Sequence, residues 1–309
     1  MKNKIKIRAN ASIANISCGF DCLGLSIKEP YDEVSLEFNE SKKLLITVSG
    51  IKSELIPVNP EKNTAGKAVL SFLNSIGENK GLNIHIKKGI PPGSGIGSSA
   101  SSAAAAVVGI NELFNKPYKL EQLIFHGMAG EEVASGSFHA DNIAPAILGG
   151  IRLIRSYEPL EILNLPIPKK LICVVVLPNF SINTYDARNM LPKKVPLKSA
   201  VEQAGNLAGF TIALYQENYE LMKRSMVDLF AEPVRGKLIP GYEKIQYHLK
   251  DEEIIGCGIS GSGPAIFALT NNMDASKKIK AIIIDEFKKI GIDSIGYISN
   301  VQNSPPKIV

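Results

Sequence analysis

Apolar and polar residues alternate with two different periods along the first half of the chain. A period of two predicts β-strands over residues 5–9, 23–27, 34–38, 44–48 and 82–86. A period close to 3.6 predicts a helix that begins at Asn63 or Thr64, either of which can cap it, and ends at Gly77. Further helices are predicted from near Ser99 and over residues 120–134. The first half therefore has the pattern of a mixed α and β domain.

The second half alternates apolar stretches with a long helical region. Strands are predicted over residues 151–154, 171–177, 254–255, 265–269 and 295–298. Helices are predicted over residues 197–249, with breaks at Asn218 and at a loop over 232–236, and over 275–290. The last part of this pattern is similar to the split β-α-β order of ferredoxin-like domains. The predicted fold class is α+β, and a proline-rich crossover after residue 154 divides the chain into domains 1–160 and 161–309.

Composition and charge remove several classes of function. The 309 residues are 45% hydrophobic and 21% charged, with a net charge of +5, which is ordinary for a globular protein. The sequence holds no block of Lys and Arg and no basic stripe interleaved with aromatic residues, so we expect no nucleic-acid partner. It has no run of about 18 apolar residues, and its basic start leads into an alternating pattern. We therefore expect a cytoplasmic protein with no membrane partner.

The stretch Pro-Pro-Gly-Ser-Gly-Ile-Gly-Ser-Ser-Ala at residues 91–100 lies between a predicted strand and an alanine-rich helix. Its alternate glycines let the main chain approach a ligand closely, and its serines lie where the helix leaves N–H groups unpaired. Such N–H groups and the positive end of the helix dipole favour an anion. The stretch predicts a phosphate-binding loop, and the alternative is an ordinary glycine-rich turn capped by serine.

Two matches to dinucleotide fingerprints fail on their context. The G-x-G-x-x-A pattern from Gly95 to Ala100 lacks a following strand with an acidic end. The G-x-G-x-x-G pattern from Gly256 to Gly261 leads into a predicted strand instead of a helix. The G-x-x-x-x-G-K-[ST] pattern of P-loop proteins does not occur in the sequence. An oxidoreductase stays as the alternative from a different class of enzyme.

Three motifs in order resemble those of the GHMP small-molecule kinases. The glycine loop is similar to that family's P-x-G-x-G-L-G-S-S-A signature, with Ile96 in place of leucine. Residues 11–24 and 258–264 are similar to the first and third motifs of the family. Within the family, residues 11–24 and 138–145 resemble the homoserine kinases in particular. The resemblance implies an ATP-dependent kinase of two domains, a ribosomal-protein-S5-like one followed by a ferredoxin-like one.

The resemblance also implies a nucleotide site with a divalent metal ion. Contacts to ATP are carried over to Pro91, Pro92, Gly93, Ser94, Gly95, Ile96, Gly97, Ser98, Ser99, Ala100 and Ser101. Mg²⁺ would be held by Ser99 and Glu131, which offer the hard oxygen atoms that this ion prefers. Glu131 and its neighbour Glu132 point about 100° apart on a helix, so only one of them can face the site. The family pattern selects Glu131, whereas the residues alone favour two solvated surface acids.

On the substrate side, the resemblance implies L-homoserine. Asp21 would bind its ammonium group, and Arg188 and Arg235 would bind its carboxylate. The other substrate positions carried over are Asn15, His139, Asn142, Thr184 and Gly261.

The residues expected at the reacting groups are Ser99, Glu131 and Asn142. An asparagine cannot accept a proton at neutral pH, so we expect the substrate hydroxyl to attack without a general base from the protein. Asp141 is the competing candidate for a base. The nearest alternative function is another GHMP kinase, for mevalonate, a sugar or shikimate, and a more distant one is an inactive binding module of the same fold. The oligomeric state stays open, with a homodimer as one option.

Overall fold

Two β-sheets with helices packed against them make up the chain in a computed structural model that describes residues 3–136 and 138–309. The strands are β1 (Lys4–Ala14), β2 (Leu23–Asn39), β3 (Leu44–Gly50), β4 (Gly81–Lys88), β5 (Ile151–Tyr157), β6 (Leu160–Leu165), β7 (Ile172–Pro178), β8 (Gly256–Ile259), β9 (Ile266–Thr270), β10 (Ser294–Asn300) and β11 (Lys307–Ile308). The helices are α1 (Thr64–Ser75), α2 (Ser98–Leu113), α3 (Leu120–Ser135), α4 (Ile143–Leu148), α5 (Thr184–Asn189), α6 (Leu197–Gln216), α7 (Tyr219–Ser225), α8 (Glu232–Arg235), α9 (Tyr242–Leu249) and α10 (Met273–Lys289).

The first sheet has the order β11-β1-β2-β4-β3, and β5 joins it by pairing with β2 and β6. Only β3 and β4 pair in parallel among its described strands. The period-two alternation of β1 and β4 directs Ile7 and Ile84 into a core with Phe72 of α1 and Ala105 of α2. Nearly every residue of α2 is buried, because alanine and serine side chains are small enough for neighbouring elements to pack closely. Asn63 caps α1 by accepting a hydrogen bond from the N–H of Gly66.

The second sheet has the order β10-β7-β9-β8, and all of its pairs are antiparallel. Helices α9 and α10 cover one face of this sheet through Ile245 and Phe287. The other face contributes Phe267 to a core that also contains Ile13 of the first sheet and Phe210 of α6. The strand order and the single helix between β9 and β10 are those of a ferredoxin-like domain. The α+β class and the ferredoxin-like order predicted for the last part of the chain are confirmed.

Some predicted elements differ from the structure. The strands predicted over residues 23–27 and 34–38 are one continuous strand, β2, because the intervening Asp32 still pairs with Ala9 of β1. The proline-rich crossover contains β6, an edge strand that pairs only with β5 among the described residues. Its first three residues are half-buried, the next two are exposed and only Leu165 is buried, so no alternation marks it in the sequence.

Two more differences concern the second half of the chain. The strand predicted at residues 254–255 begins later, at Gly256, so Gly258 of the third motif lies within β8, and Gly261 and Gly263 follow the strand. The loop predicted over residues 232–236 contains the helical turn α8, which holds Arg235. In both cases the prediction relied on glycine or proline as a sign that an element ends. Strand pairing and packing in the tertiary structure decide the limits instead.

The division at residue 160 stays a prediction. The pairing of β6 with β5 continues the first sheet to Leu165, and β11 returns from the end of the chain to pair with β1. A division after Leu165 would keep both strands of that hairpin in one domain. Across residues 3–136 and 138–309, no helix is both long and apolar enough to cross a membrane.

Candidate active site

The loops that follow β1, β4 and β8 meet at one cleft with a volume of about 470 Å³. The predicted site residues that line it are Asn15, Asp21, Pro92, Gly93, Ser94, Gly95, Gly97, Ser98, Ser99, Glu131, His139, Asn142, Thr184, Arg188, Arg235 and Gly261. Ile96, Ala100 and Ser101 are fully buried instead, and the Ser101 hydroxyl donates a hydrogen bond to the carbonyl of Ala9. These three residues therefore do not line the cleft and support the loop from beneath it.

The glycine loop between β4 and α2 needs its glycines for two reasons. Gly93, Gly95 and Gly97 all have positive φ angles, of 67°, 86° and 66°, which side chains disfavour. A Cβ atom at Gly95 would lie 2.6 Å from the carbonyl oxygen of Gly263, and one at Gly97 would lie 2.1 Å from the Ser12 hydroxyl oxygen. The first and third motifs therefore press against the loop so closely that only glycine fits.

Hydrogen bonds from both sheets hold the glycine loop in place. The Ser260 hydroxyl donates to the carbonyl of Gly95 at 2.8 Å, and the N–H of Ala265 donates to the carbonyl of Ser94 at 3.1 Å. The N–H of Ser12, in β1, donates to the carbonyl of Ile96 at 3.2 Å. The loop is thus built from contacts between segments that are far apart in the chain.

Glu131 of α3 lines the cleft, as does Ser99 at the start of α2. Glu131 is only 8% exposed, whereas its neighbour Glu132 faces solvent. Burial raises the pKa of Glu131 to about 7, and a hydrogen bond with Ser99 opposes that rise. The carboxylate is therefore in an environment that would favour a nearby positive charge.

Ser99 and Glu131 fit a Mg²⁺ ion that arrives together with a nucleotide. In the part of the chain that the structure describes, no group of three or more His, Cys, Asp or Glu side chains could hold a metal ion. Mg²⁺ usually binds proteins through one or two carboxylates and takes its other ligands from phosphates and water. A hydroxyl and a carboxylate beside a phosphate-binding loop match that pattern.

Charged side chains of both signs occupy the end of the cleft near the first motif. Arg188 holds Asp21 with both guanidinium nitrogens, Nη2 to Oδ2 at 2.7 Å and Nη1 to Oδ1 at 3.3 Å. His139 Nδ1 lies 3.9 Å from Asp21 Oδ2, and burial lowers the pKa of this histidine. Arg235 is 4% exposed and donates from Nη1 to the carbonyl of Gly261 at 2.8 Å. Both guanidinium groups lie within 6 Å of the ring of Phe20, at 5.8 and 5.5 Å from its centre.

Two of the predicted substrate residues connect the motifs around this cluster. Asn15 has a left-handed φ of 71°, donates from Nδ2 to the carbonyl of Gly261 and accepts from the N–H of Asp21. Thr184 begins α5, and its hydroxyl lies 3.2 Å from that of Ser262. Asn15 therefore holds the main chain at Asp21 in place through a hydrogen bond. Thr184 connects the third motif to α5.

Asn142 and Asp141 lie at the junction of the glycine loop and the charged cluster. The Ser12 hydroxyl donates to Asn142 Oδ1 at 2.8 Å, which leaves the amide hydrogens of Asn142 as its remaining donors. Asp141 is 6% exposed, and burial raises its pKa to about 7, with the charges of Asp21 and Glu131 adding to the rise. Of these two neighbouring side chains, only Asp141 could accept a proton. Asn142 can donate or accept hydrogen bonds but cannot act as a base.

Sequence reasoning missed several residues of the site, above all Lys88 and Ser12. Lys88 lines the cleft, although its position on β4 continues the buried face formed by Ile84 and Ile86. That alternation is a signal that a charged residue points inward, and it was available in the sequence. Ser12 lies among the last four residues of β1, all of them buried, where the alternation has ended, and nothing in the sequence shows that it meets Asn142.

The close packing at Gly97 predicts a specific defect in Gly97→Ala. Gly97 and Gly77 have nearly the same φ, 66° and 67°, so alanine at either position should cost about 1–2 kcal/mol from left-handed strain. A Cβ at Gly77 meets no atom within 4 Å, whereas one at Gly97 clashes with Ser12, which should add about 1–3 kcal/mol. Urea unfolding and the KM for ATP of both variants test this. Equal losses of stability, with the KM for ATP unchanged in Gly97→Ala, would contradict it.

Family models match both halves of the chain. Residues 63–150 match the GHMP kinases N terminal domain, and residues 210–289 match the GHMP kinases C terminal model. The two stretches contain the glycine loop and Arg235, respectively. The order of the two models along the chain is the order of its two sheets.

Known proteins match over nearly the full length. A homoserine kinase of Chlorobium phaeobacteroides strain BS1 is 41% identical over 97% of this chain and 98% of its own length. One from Methanococcus vannielii is 43% identical over 86% of this chain and 87% of its own length. The crystal structure of homoserine kinase from Cytophaga hutchinsonii has a TM-score of 0.96 and 41% identity, covering all of this chain and 98% of its own. A mevalonate kinase of L. major shares the fold, with a TM-score of 0.72 and 18% identity. The chain therefore belongs to the homoserine kinase family of the GHMP kinases.

Proposed function

We propose that this chain transfers the γ-phosphoryl group of ATP to the side-chain hydroxyl of L-homoserine, which yields O-phospho-L-homoserine and ADP, a step of threonine biosynthesis. One observation supports it most: Asp21, Arg188 and Arg235 form a cluster of both charge signs in the same cleft as the glycine loop. A free α-amino acid carries an ammonium and a carboxylate at a fixed separation. The cluster matches that pattern, since guanidinium groups bind carboxylates and Asp21 can accept from an ammonium.

The pairing of Arg188 with Asp21 suits such a substrate. In the absence of substrate the charges of Arg188 and Asp21 compensate each other in the partly buried site. A zwitterion can add its carboxylate beside the guanidinium and its ammonium beside the carboxylate, which extends the alternation of charge. Arg235, which uses Nη1 for Gly261, has further donors for the same carboxylate.

The nucleotide would lie along the glycine loop, with its phosphates at the start of α2. The main-chain N–H groups there and the dipole of the 16-residue helix favour an anion. Ser99 and Glu131 would hold Mg²⁺, which would neutralise the charge that develops on the phosphate oxygens. Positioning and electrostatic stabilisation account for most of the catalysis of phosphoryl transfer, so these contacts are the main contribution of the protein.

The hydroxyl of the substrate would attack the γ-phosphorus directly. The new bond joins the hydroxyl oxygen to phosphorus, the bond to the β,γ-bridging oxygen breaks, and ADP leaves with that oxygen. The hydroxyl proton goes late to a phosphate oxygen or to water, which is compatible with a loose transition state. Asn142, whose Oδ1 is occupied by Ser12, would orient the hydroxyl by donating a hydrogen bond.

The choice between direct attack and a general base predicts the behaviour of Asp141→Asn. If no protein base takes part, this variant should lower kcat by less than about tenfold, because a general base usually contributes about 10²–10⁴-fold. Steady-state kinetics at saturating homoserine and ATP measure the change, and the nearly isosteric amide limits effects on packing. A loss of 10²-fold or more in a folded variant would identify Asp141, whose pKa lies near 7, as the base.

A substrate panel tests the proposed function itself. We expect ADP release from Mg-ATP with L-homoserine and none above background with mevalonate, galactose or shikimate. Mevalonate and shikimate have a carboxylate but no ammonium, and galactose has neither, so none of them pairs with both Asp21 and the arginines. Turnover of one of these compounds without turnover of homoserine would assign the chain to another GHMP kinase activity. If none of the four compounds supports ADP release, the kinase activity would be unsupported and only the likeness in fold would remain.

Three further expectations stay predictions beside this proposal. They are the division into domains 1–160 and 161–309, the cytoplasmic location and the homodimer. Size-exclusion chromatography with light scattering measures the last of these directly.

A further inference from the structure

A buried ion pair lies beneath the glycine loop and takes no part in the chemistry described above. Lys88 is the last residue of β4, and Asp32 lies in the neighbouring strand β2. Their side chains are 2% and 0% exposed, and Lys88 Nζ contacts Asp32 Oδ2. Buried ion pairs are often no more stabilising than apolar residues of the same size, so stability alone does not explain this one.

Asp32 contacts the segment through which the chain enters the loop. Its Oδ1 atom accepts hydrogen bonds from the N–H groups of Gly89 at 2.9 Å and Ile90 at 3.0 Å, the last two residues before Pro91. These main-chain groups follow β4, where the strand pairing has ended. Asp32 therefore sets the direction in which the loop leaves the sheet.

Lys88 contacts the segment through which the chain leaves the loop. Its Nζ atom donates to the carbonyl of Ser98 at 2.8 Å and to the hydroxyl of Ser102 at 3.0 Å. The Ser102 hydroxyl in turn donates to Asp32 Oδ2 at 2.8 Å, and the Ser98 hydroxyl donates to the carbonyl of Ile90 at 2.9 Å. The pair and the two serines therefore connect both ends of residues 91–97.

The contact with Ser98 acts on the cleft through one peptide unit. In a planar trans peptide the C=O of one residue and the N–H of the next point in opposite directions. Lys88 holds the Ser98 carbonyl, so it also fixes the direction of the Ser99 N–H, one of the unpaired donors at the start of α2. The buried ion pair can thereby orient a donor that would face the phosphates.

We propose that Lys88 and Asp32 are positioning residues that hold the glycine loop in its phosphate-binding conformation before the nucleotide arrives. The proposal rests on the proposed function, since it assumes that the loop binds ATP. Preorganised donors bind an anion more tightly because their ordering costs nothing at the moment of binding. The loss of the pair should therefore weaken nucleotide binding, with little effect at the homoserine end of the cleft.

The test compares single and double neutral variants. Lys88→Met and Asp32→Asn each leave one buried charge without its partner, so both should lower the melting temperature. Lys88→Met/Asp32→Asn has no unpaired charge, so it should recover most of the lost melting temperature. The amide introduced by Asp32→Asn keeps an oxygen that can accept from the N–H groups of Gly89 and Ile90. If the pair positions the loop, the double variant still binds Mg-ATP about tenfold or more weakly, the usual effect of losing a hydrogen bond to a charged group. Its KM for homoserine should change less than about threefold, because the positioning does not reach that end.

The matched control is Lys87→Met, on the same strand but with an exposed side chain, and it should change neither quantity. Titration with a fluorescent ATP analogue measures the affinity without requiring turnover. A double variant that recovers both melting temperature and nucleotide affinity would show that the pair is only structural.

A second variant keeps the test valid if the double variant does not fold. Ser102→Ala retains the ion pair and its contact with the Ser98 carbonyl but removes the second contact with α2, so nucleotide affinity should fall by a smaller factor than in the double variant while the melting temperature stays close to that of the wild type. Unchanged affinity in this variant overturns the proposal. Failure of the proposed function is distinguishable, because the wild-type chain would then release no ADP with homoserine in the substrate panel, whatever the nucleotide affinity of the variants.

Discussion

Glu131→Gln is expected to lower kcat by about 10²–10³-fold, the usual loss when a group that stabilises transition-state charge is removed. The amide keeps the shape of the side chain but cannot neutralise a metal ion, so a Mg²⁺ ion bound by Ser99 and Glu131 would lose a charged ligand. Glu132→Gln is the matched control, because it makes the same change one residue away on a side chain that faces solvent. It should leave kcat within about twofold, as surface substitutions usually do.

Both variants are measured by ADP release over a range of Mg²⁺ concentrations. Glu131→Gln should also need more Mg²⁺ for half-maximal rate, which a general loss of folding would not produce. Melting temperatures near the wild-type value establish that both chains are folded. Equal losses at positions 131 and 132, or a larger loss at 132, would rule out Glu131 as the ligand.

Arg235→Leu is expected to weaken homoserine binding by about 1.5–3 kcal/mol, or about 10- to 150-fold in KM, the usual worth of a hydrogen bond to a charged group. Arg188→Leu should have a comparable effect and should also leave Asp21 without the guanidinium that pairs with it. The KM for ATP should change much less, since neither arginine would touch a phosphate. Arg235→Lys should recover only part of the loss, because an ammonium cannot reproduce a forked pair of hydrogen bonds.

Arg224→Leu, on the exposed surface of α7, is the control for removing an arginine as such. The KM values for homoserine and for ATP are measured separately for every variant. Arg235 is deeply buried and bonded to Gly261, so its removal could also disturb the third motif. The lysine variant and the melting temperature separate that effect from lost substrate contact. A loss confined to ATP in a folded variant would contradict a carboxylate-binding role.

Local patterns in the sequence were sufficient for the elements and for part of the site. The glycine loop could be located because its glycines and serines are consecutive, and the chemistry of such a loop depends on backbone conformation and a helix start. The angle between Glu131 and Glu132 follows from helix geometry alone. The sequence predicted β2 as two separate strands and did not predict the edge strand β6. Pairing with neighbours decides whether a proline or a polar stretch interrupts a strand.

The contacts that make the site depend on residues that are far apart in the chain. Asp21 and Arg188 are 167 positions apart, and Ser12 and Asn142 are 130 apart. Local periodicity has no information about which distant side chains meet, since that is set by the order and register of the strands. The resemblance to a kinase family indicated these residues as a set, but it did not show that Arg188 holds Asp21.

Lys88 and Asp32 illustrate the difference between what the sequence determines and what only the tertiary structure decides. The alternation of β4 in the sequence determines that Lys88 points to the buried face, because residues two apart on a strand share a face. Asp32 lies between the two strands predicted for its region, and only its pairing with Ala9 of β1 shows that β2 continues there. Whether two buried opposite charges meet depends on the pairing of those strands, and only the tertiary structure brings Lys88 Nζ to Asp32 and to the end of the glycine loop. The sequence by itself determined the direction of the Lys88 side chain, and the fold decided its partner, because direction along a strand is a local property of the backbone and the choice of a distant partner is not.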